Sequence, residues 1–177
     1  MILIVDDDRT IRLGIGLMLK QAGMEFLAVS TRDEAMEAVR RPDLELVILD
    51  MNLTLSTTGE QGIEMLQGIR ILAPEVPVIM LSAWATVPLA VKGMGLGAVD
   101  FVTKPWSNRD FMDKIRTALR NAADRAAARR QGHLADTERE AVAKALRSAD
   151  GNLSEAAKIL GITRQSLYRR MNKFGLK

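Results

Sequence analysis

The sequence predicts an α/β chain, a (βα)5 doubly wound parallel sheet followed by a small all-α helix-turn-helix domain. Three observations predict it. Five short apolar runs recur through the first 103 residues, each followed by apolar residues at helical spacing. Three of those runs end in charge: Ile2–Val5 runs into Asp6-Asp7-Asp8, Val47–Leu49 into Asp50, and Val99–Thr103 into Lys104-Pro105. From residue 107 onward the chain turns basic and shows helical periodicity alone.

Ile2–Val5 is apolar throughout, as a strand buried on both faces must be. Ile11, Ile15, Met18, Leu19 and Ala22 then follow a helical period, and Gly23 closes that helix. Phe26–Val29 is a second strand. Thr31, with Glu34 three residues on, forms a capping box for a helix that Pro42 stops. Leu46–Leu49 is the third strand, followed by a polar loop from Met51 to Gln61 that contains Ser56-Thr57-Thr58-Gly59. Gly62–Leu72 is amphipathic through Ile63, Leu66, Ile69 and Ile71. Pro77–Leu81 is the fourth strand and ends at Ser82. Thr86–Leu96 is a helix with Pro88 in its first turn, softened by Gly93 and Gly95. Ala98–Val102 is the fifth strand, and Ser107 or Asn108 caps a long helix. Right-handed crossovers between parallel strands favour helices on both sheet faces.

The predicted organisation is residues 1–120 as the sheet domain, 121–135 as a helical extension or linker, and 136–177 as the helical domain. In the last of these, Asp136 or Thr137 caps a helix to Ser148, and Ser154 caps a second, Glu155–Leu160. After the turn at Gly161-Ile162, Thr163 caps a third, Arg164–Phe174, which Gly175 ends. Leu153, Ala157, Leu160, Ile162, Leu167 and Met171 supply a small core, a helix-turn-helix pattern.

Totals narrow the function. The 177 residues are 47% hydrophobic and contain no cysteine, which excludes disulfides and thiolate metal sites. The longest charge-free run, Val76 to Val91, is broken by two prolines and too short to cross a bilayer, so a cytoplasmic protein without a membrane partner is expected. Residues 1–106 hold 9 Lys and Arg against 14 Asp and Glu, net −5; residues 107–177 hold 16 against 8, net +8. An acidic front and a basic back point to two domains, the second with a polyanionic partner.

Open α/β sheets bind ligands at the carboxyl ends of their strands. Asp6, Asp7 and Asp50 there offer hard oxygen ligands of the kind Mg2+ takes. Lys104 and the Ser82 hydroxyl complete a site for a small anion held against the metal. In it a carboxylate can attack phosphorus and form an acyl phosphate.

The stretches Ile-Leu-Ile-Val-Asp6-Asp7-Asp8, Val-Ile-Leu-Asp50-Met-Asn52, Val-Ile-Met-Leu-Ser82-Ala83 and Phe101-Val-Thr-Lys104-Pro105 resemble the receiver domains of bacterial two-component response regulators, across essentially all of residues 1–120. The resemblance implies that Asp50 accepts a phosphoryl group from a sensor histidine kinase. It implies that Asp6, Asp7, Asp50 and the main-chain carbonyl of Asn52 hold Mg2+. Ser82 and Lys104 would contact the phosphoryl group, and Phe101 would turn inward as the switch aromatic. The sequence departs from the family between Leu53 and Gln61, where the loop is longer and lacks the usual proline.

Residues 151–177 set six Lys and Arg against Glu155 alone. Thr163, Arg164, Gln165 and Ser166 open the final helix, where a recognition helix presents side chains to base edges. Arg169, Arg170 and Lys173 lie further along and suit phosphates. The run from Gly151 to Leu176 is similar to the DNA-binding end of Fis and of nitrogen-regulation-type activators, which implies double-stranded DNA as partner and a homodimer, here one promoted by phosphorylation. Those activators carry a central ATPase; no GxxxxGK[ST] loop occurs here. The expected function is therefore a phosphorylation-regulated DNA-binding response regulator controlling transcription, and not an enzyme beyond its own phosphotransfer and dephosphorylation. The rivals are a constitutive Fis-like architectural binder with a degenerate receiver, an enhancer-binding activator without its ATPase domain, and a carboxylate-nucleophile phosphatase. The last needs a second acid near Asp50 to move a proton, and Asn52, an amide, stands in that place.

Overall fold

A computed structural model of the protein describes residues 1–52, 60–83 and 87–176. The chain divides into two compact units, Met1–Ala123 and Asp124–Lys177.

In the first unit, β1 (Ile2–Val5), β2 (Phe26–Val29), β3 (Leu46–Asp50), β4 (Val78–Ser82) and β5 (Asp100–Thr103) pair in parallel in the order β2-β1-β3-β4-β5. They alternate with α1 (Arg9–Gln21), α2 (Arg32–Ala38), α3 (Glu60–Leu72), α4 (Val87–Gly95) and α5 (Asn108–Ser148). Successive strand side chains point to opposite faces. Leu3, Val5, Val47, Leu49, Val78 and Met80 therefore pack with α2, α3 and Leu89 of α4. Ile2, Ile4, Leu46, Ile48, Ile79 and Leu81 pack with α1 and the first turns of α5, where Phe111 and Ile115 are buried. β1, β3 and β4 are buried along their whole length. Because both faces are covered, these strands read as continuous apolar runs rather than alternating ones. Strand order reverses between β1 and β3, so a crevice opens at their carboxyl ends.

The capping box holds: Thr31 Oγ1 accepts from Glu34 N–H, and the Glu34 carboxylate accepts from Thr31 N–H. α3 starts at Glu60, two residues ahead of the expected Gly62. The expected polar loop is, over 53–59, outside the described residues, as is the expected helix start at Thr86. Gly62 donates its N–H to the Met51 carbonyl, and a Cβ there would lie 2.5 Å from the Met51 Cα. Only glycine fits against that backbone, one residue past Asp50. Gly62→Ala is expected to cost at least about 2 kcal/mol in urea unfolding, because backbone and not a side-chain tip has to move. A loss under about 0.5 kcal/mol would refute this close packing.

Two cap expectations are corrected. Neither Asp136 nor Thr137 starts a helix: α5 runs unbroken from Asn108 to Ser148, and the Thr137 hydroxyl donates back to the His133 carbonyl one turn earlier. Residues 121–135, rich in Ala and Arg, are strong helix formers and carry α5 through. The second helix of the tail, α6 (Leu153–Ile159), is capped by Asn152 rather than Ser154; the side-chain Oδ1 of Asn152 accepts from the N–H groups of Ser154 and Glu155. α7 (Arg164–Phe174) starts on Thr163 and ends at Gly175 in the left-handed conformation (φ 62°), as the sequence predicts. Val142, Ala145, Ala149, Ala156, Ala157, Leu167 and Met171 form the core of this unit, with Leu153, Leu160 and Ile162 packed against it.

Candidate functional site

Four strands deliver the crevice. Asp6 follows β1, Asp50 ends β3, Ser82 ends β4, and Lys104 follows β5. Asp6 and Ser82 are fully buried and Asp50 is 3% exposed. Lys104 Nζ lies 2.7 Å from Asp6 Oδ2 and 3.0 Å from Asp50 Oδ1. Asp6, Asp7 and Asp50 each offer a carboxylate oxygen, all within 4.8 Å of one another. Three hard oxygen donors at that spacing fit a small divalent cation. One ammonium against three carboxylates also leaves the crevice short of positive charge.

The electrostatics follow from burial. Burial pushes the Asp50 carboxyl up to about 6, against the hydrogen bond from Lys104, and the nearby Asp6 charge pushes the same way. Asp6 is raised too, by burial first, with Lys104 opposing. Burial depresses the Lys104 ammonium, but Asp6 and Asp50 together outweigh it, so its pKa is raised. Two raised carboxyls beside one ammonium leave a cluster that could take a further cation.

Local hydrogen bonds hold the acids in place. Asp8 N–H donates to Asp6 Oδ1 at 2.9 Å, and Asn52 N–H donates to Asp50 Oδ2 at 3.3 Å. Asp8 itself faces away, capping α1 by accepting from Thr10 and Ile11, which lowers its pKa through the Thr10 N–H first. Sequence reasoning missed Arg12. Its guanidinium donates to the main-chain carbonyls of Asp6 and Asp7 at 2.6 and 2.9 Å, tying α1 to the acidic turn. A cation one turn into the helix after an acidic cluster is the only signal that marks it. Phe101 is half-buried, against the α2/α3 side of the core.

The residues expected to meet a polyanion lie on α7. Arg164, Gln165 and Arg169 are exposed, and Ser166 N–H donates to Thr163 Oγ1. Arg170 and Lys173, expected to suit phosphates, both pair with Glu138 of α5.

The family pattern of the response regulator receiver domain matches residues 2–116, and that of bacterial regulatory proteins of the Fis family matches residues 133–174. The response regulator protein FleR of Pseudomonas aeruginosa is 34% identical over 114 residues, which is 64% of this chain and 23% of FleR. The chain thus spans about a quarter of that relative's length. Among solved structures, the beryllofluoride-activated NtrC4 receiver domain dimer superposes with a TM-score of 0.62 at 25% identity, over 68% of this chain and 97% of that one. The low-resolution structure of the response regulator StyR shares the fold over 99% of this chain and 92% of its own, with a TM-score of 0.68 at 24% identity.

Proposed function

This chain belongs to the response regulator receiver family, and from that premise we propose that it is a phosphorylation-regulated DNA-binding regulator of a two-component system, acting in the cytoplasm. The observation that carries the reading is Lys104 bonded at once to Asp6 and Asp50 at the strand ends, in a chain that also holds a Fis-type helix-turn-helix.

Asp50 is the phosphoacceptor. One of its carboxylate oxygens attacks the phosphorus of a phosphohistidine on a sensor kinase. The P–O bond forms as the P–N bond breaks, and the imidazole leaves and takes up a proton from water. Held at about 6, Asp50 is ionised at neutral pH and ready to attack. Lys104 then bonds to the transferred group, with the Ser82 hydroxyl beside it. Asp6, Asp7, Asp50 and the main-chain carbonyl of Asn52 would hold Mg2+, which would supply positive charge against the transferred group. Occupation draws Ser82 and Phe101 inward. The altered face dimerises the chain and places two α7 helices on a pseudo-palindromic duplex. The activated NtrC4 dimer supports the dimer step. Asn52 in place of a second acid weighs against a phosphatase.

The test is incubation with acetyl phosphate and Mg2+, read by intact mass. The expected result is one phosphoryl group added to the wild type, none with chelator, and none on Asp50→Asn. Equal labelling of Asp50→Asn would refute the assignment.

A further inference from the structure

The face that α7 turns to solvent differs from the face its charges alone suggest. Leu167 and Met171 are buried and Phe174 is half-buried, which fixes the inner side of the helix. The exposed side is Arg164, Gln165, Tyr168, Arg169 and Asn172, at spacings of one, three and four residues, a single continuous stripe with Lys173 at its edge. Along it the Arg164 guanidinium lies 6.0 Å from the centre of the Tyr168 ring. Arg170 falls on the inner flank. Its Nε lies 2.9 Å from Glu138 Oε1, and Lys173 Nζ lies 3.1 Å from Glu138 Oε2, so one carboxylate takes both cations. Among the described residues, no carboxylate pairs with Arg164 or Arg169.

We propose that Glu138 withholds Arg170 and Lys173 from the duplex, and that α7 meets DNA through Arg164, Gln165, Tyr168, Arg169 and Asn172. A carboxylate that bridges two cations occupies the place a backbone phosphate would take. Phosphate contact releases counterions, and each cation engaged adds about 0.9 to the slope of log affinity against log salt. Arg164 and Arg169 contribute to that slope; Arg170 and Lys173, which share the one carboxylate of Glu138 and are held on it, do not. Tyr168 and Asn172 add contacts that charge counting overlooks: a ring edge against sugar or thymine methyl, and an amide able to pair with adenine. Glu138 is thus a positioning residue that limits affinity. The proposal rests on the DNA-binding reading above.

The experiment measures binding of the full chain to one mixed-sequence 30-base-pair duplex across a salt series, with helix content checked by circular dichroism. Arg164→Gln and Arg169→Gln are each expected to lower the slope by about 0.9, while Arg170→Gln and Lys173→Gln leave it unchanged. Glu138→Gln is expected to bind several-fold more tightly than wild type with a steeper slope, because Lys173 at 60% exposure is free to swing to a phosphate. Tyr168→Ala and Asn172→Ala are expected to weaken binding at unchanged slope. A fall of the slope in Arg170→Gln or Lys173→Gln equal to that in Arg169→Gln overturns the proposal. So does a folded Glu138→Gln that binds no better than wild type, or a Glu138→Gln that loses its helices. If the wild type itself shows no salt-dependent binding, it is the DNA-binding reading that has failed.

Discussion

Replacing Asp50 with Asn is expected to stabilise the metal-free protein by about 1–3 kcal/mol at pH 8. Asp50 is all but inaccessible to water and shares its crevice with Asp6 and Asp7, against the single ammonium of Lys104. Burial and the Asp6 charge lift its carboxyl from an ordinary 3.8 to about 6. In the unfolded chain the group loses its proton at the lower value, in the fold at the higher one. Between those values the folded state binds more protons, so stability falls as pH rises from about 4 to about 6 and stays low above that. Asp50→Asn removes the ionisation and with it the loss. Urea unfolding at a series of pH values checks this: the two proteins should converge toward pH 4 and separate by pH 7. Mg2+ should narrow the gap, since a cation bound at a hundred times its Kd stabilises the wild type by about 2.7 kcal/mol. A variant less stable than wild type at pH 8 without Mg2+ would mean that Asp50 is a net structural asset, and the view of the crevice as a strained, charge-hungry site would fall.

The opposite sign is expected at Lys104. Lys104→Met removes the cation bonded to both buried carboxylates and leaves Asp6 and Asp50 without the ammonium that pairs with them. Breaking a buried pair in this way costs about 3–5 kcal/mol. The cost should be largest at pH 8 and shrink toward pH 5, because both carboxyls are raised already and climb further without the ammonium, so protonation relieves them. Asp50→Asn in the Lys104→Met background should recover much of the loss, a coupling that independent sites would not show. Thermal melting of the four proteins at both pH values measures it. A Lys104→Met protein as stable as wild type at pH 8 would show that water or backbone, not Lys104, balances the acids.

These carboxylates were legible in the sequence because each sits directly after an apolar run. A strand buried on both faces cannot end in an acid without placing it at the sheet edge, and the order of the strands brings Asp6, Asp50 and Lys104 together. The capping pairs Thr31–Glu34 and Thr163–Ser166 were equally legible, since their hydrogen bonds span three residues. The continuity of α5 was not. Its middle has no apolar period, and Asp136-Thr137 has the composition of a cap; only the Thr137 bond to His133 reveals an interior position. Asn152 and Ser154 are both capping types two residues apart, and backbone geometry alone chooses Asn152. Arg170 and Lys173 read as phosphate ligands because a sequence shows charge and not the distant Glu138 carboxylate of α5 that pairs with both.

A phosphoryl group on Asp50 is expected to govern how the tail binds DNA. The direct measurement is duplex affinity of the full chain in Mg2+, with and without beryllofluoride, for wild type and Asp50→Asn. The wild type alone is expected to gain at least tenfold, about 1.4 kcal/mol, with a shift from monomer to dimer in sedimentation. An affinity that beryllofluoride leaves unchanged in the wild type, or raises equally in Asp50→Asn, would contradict it.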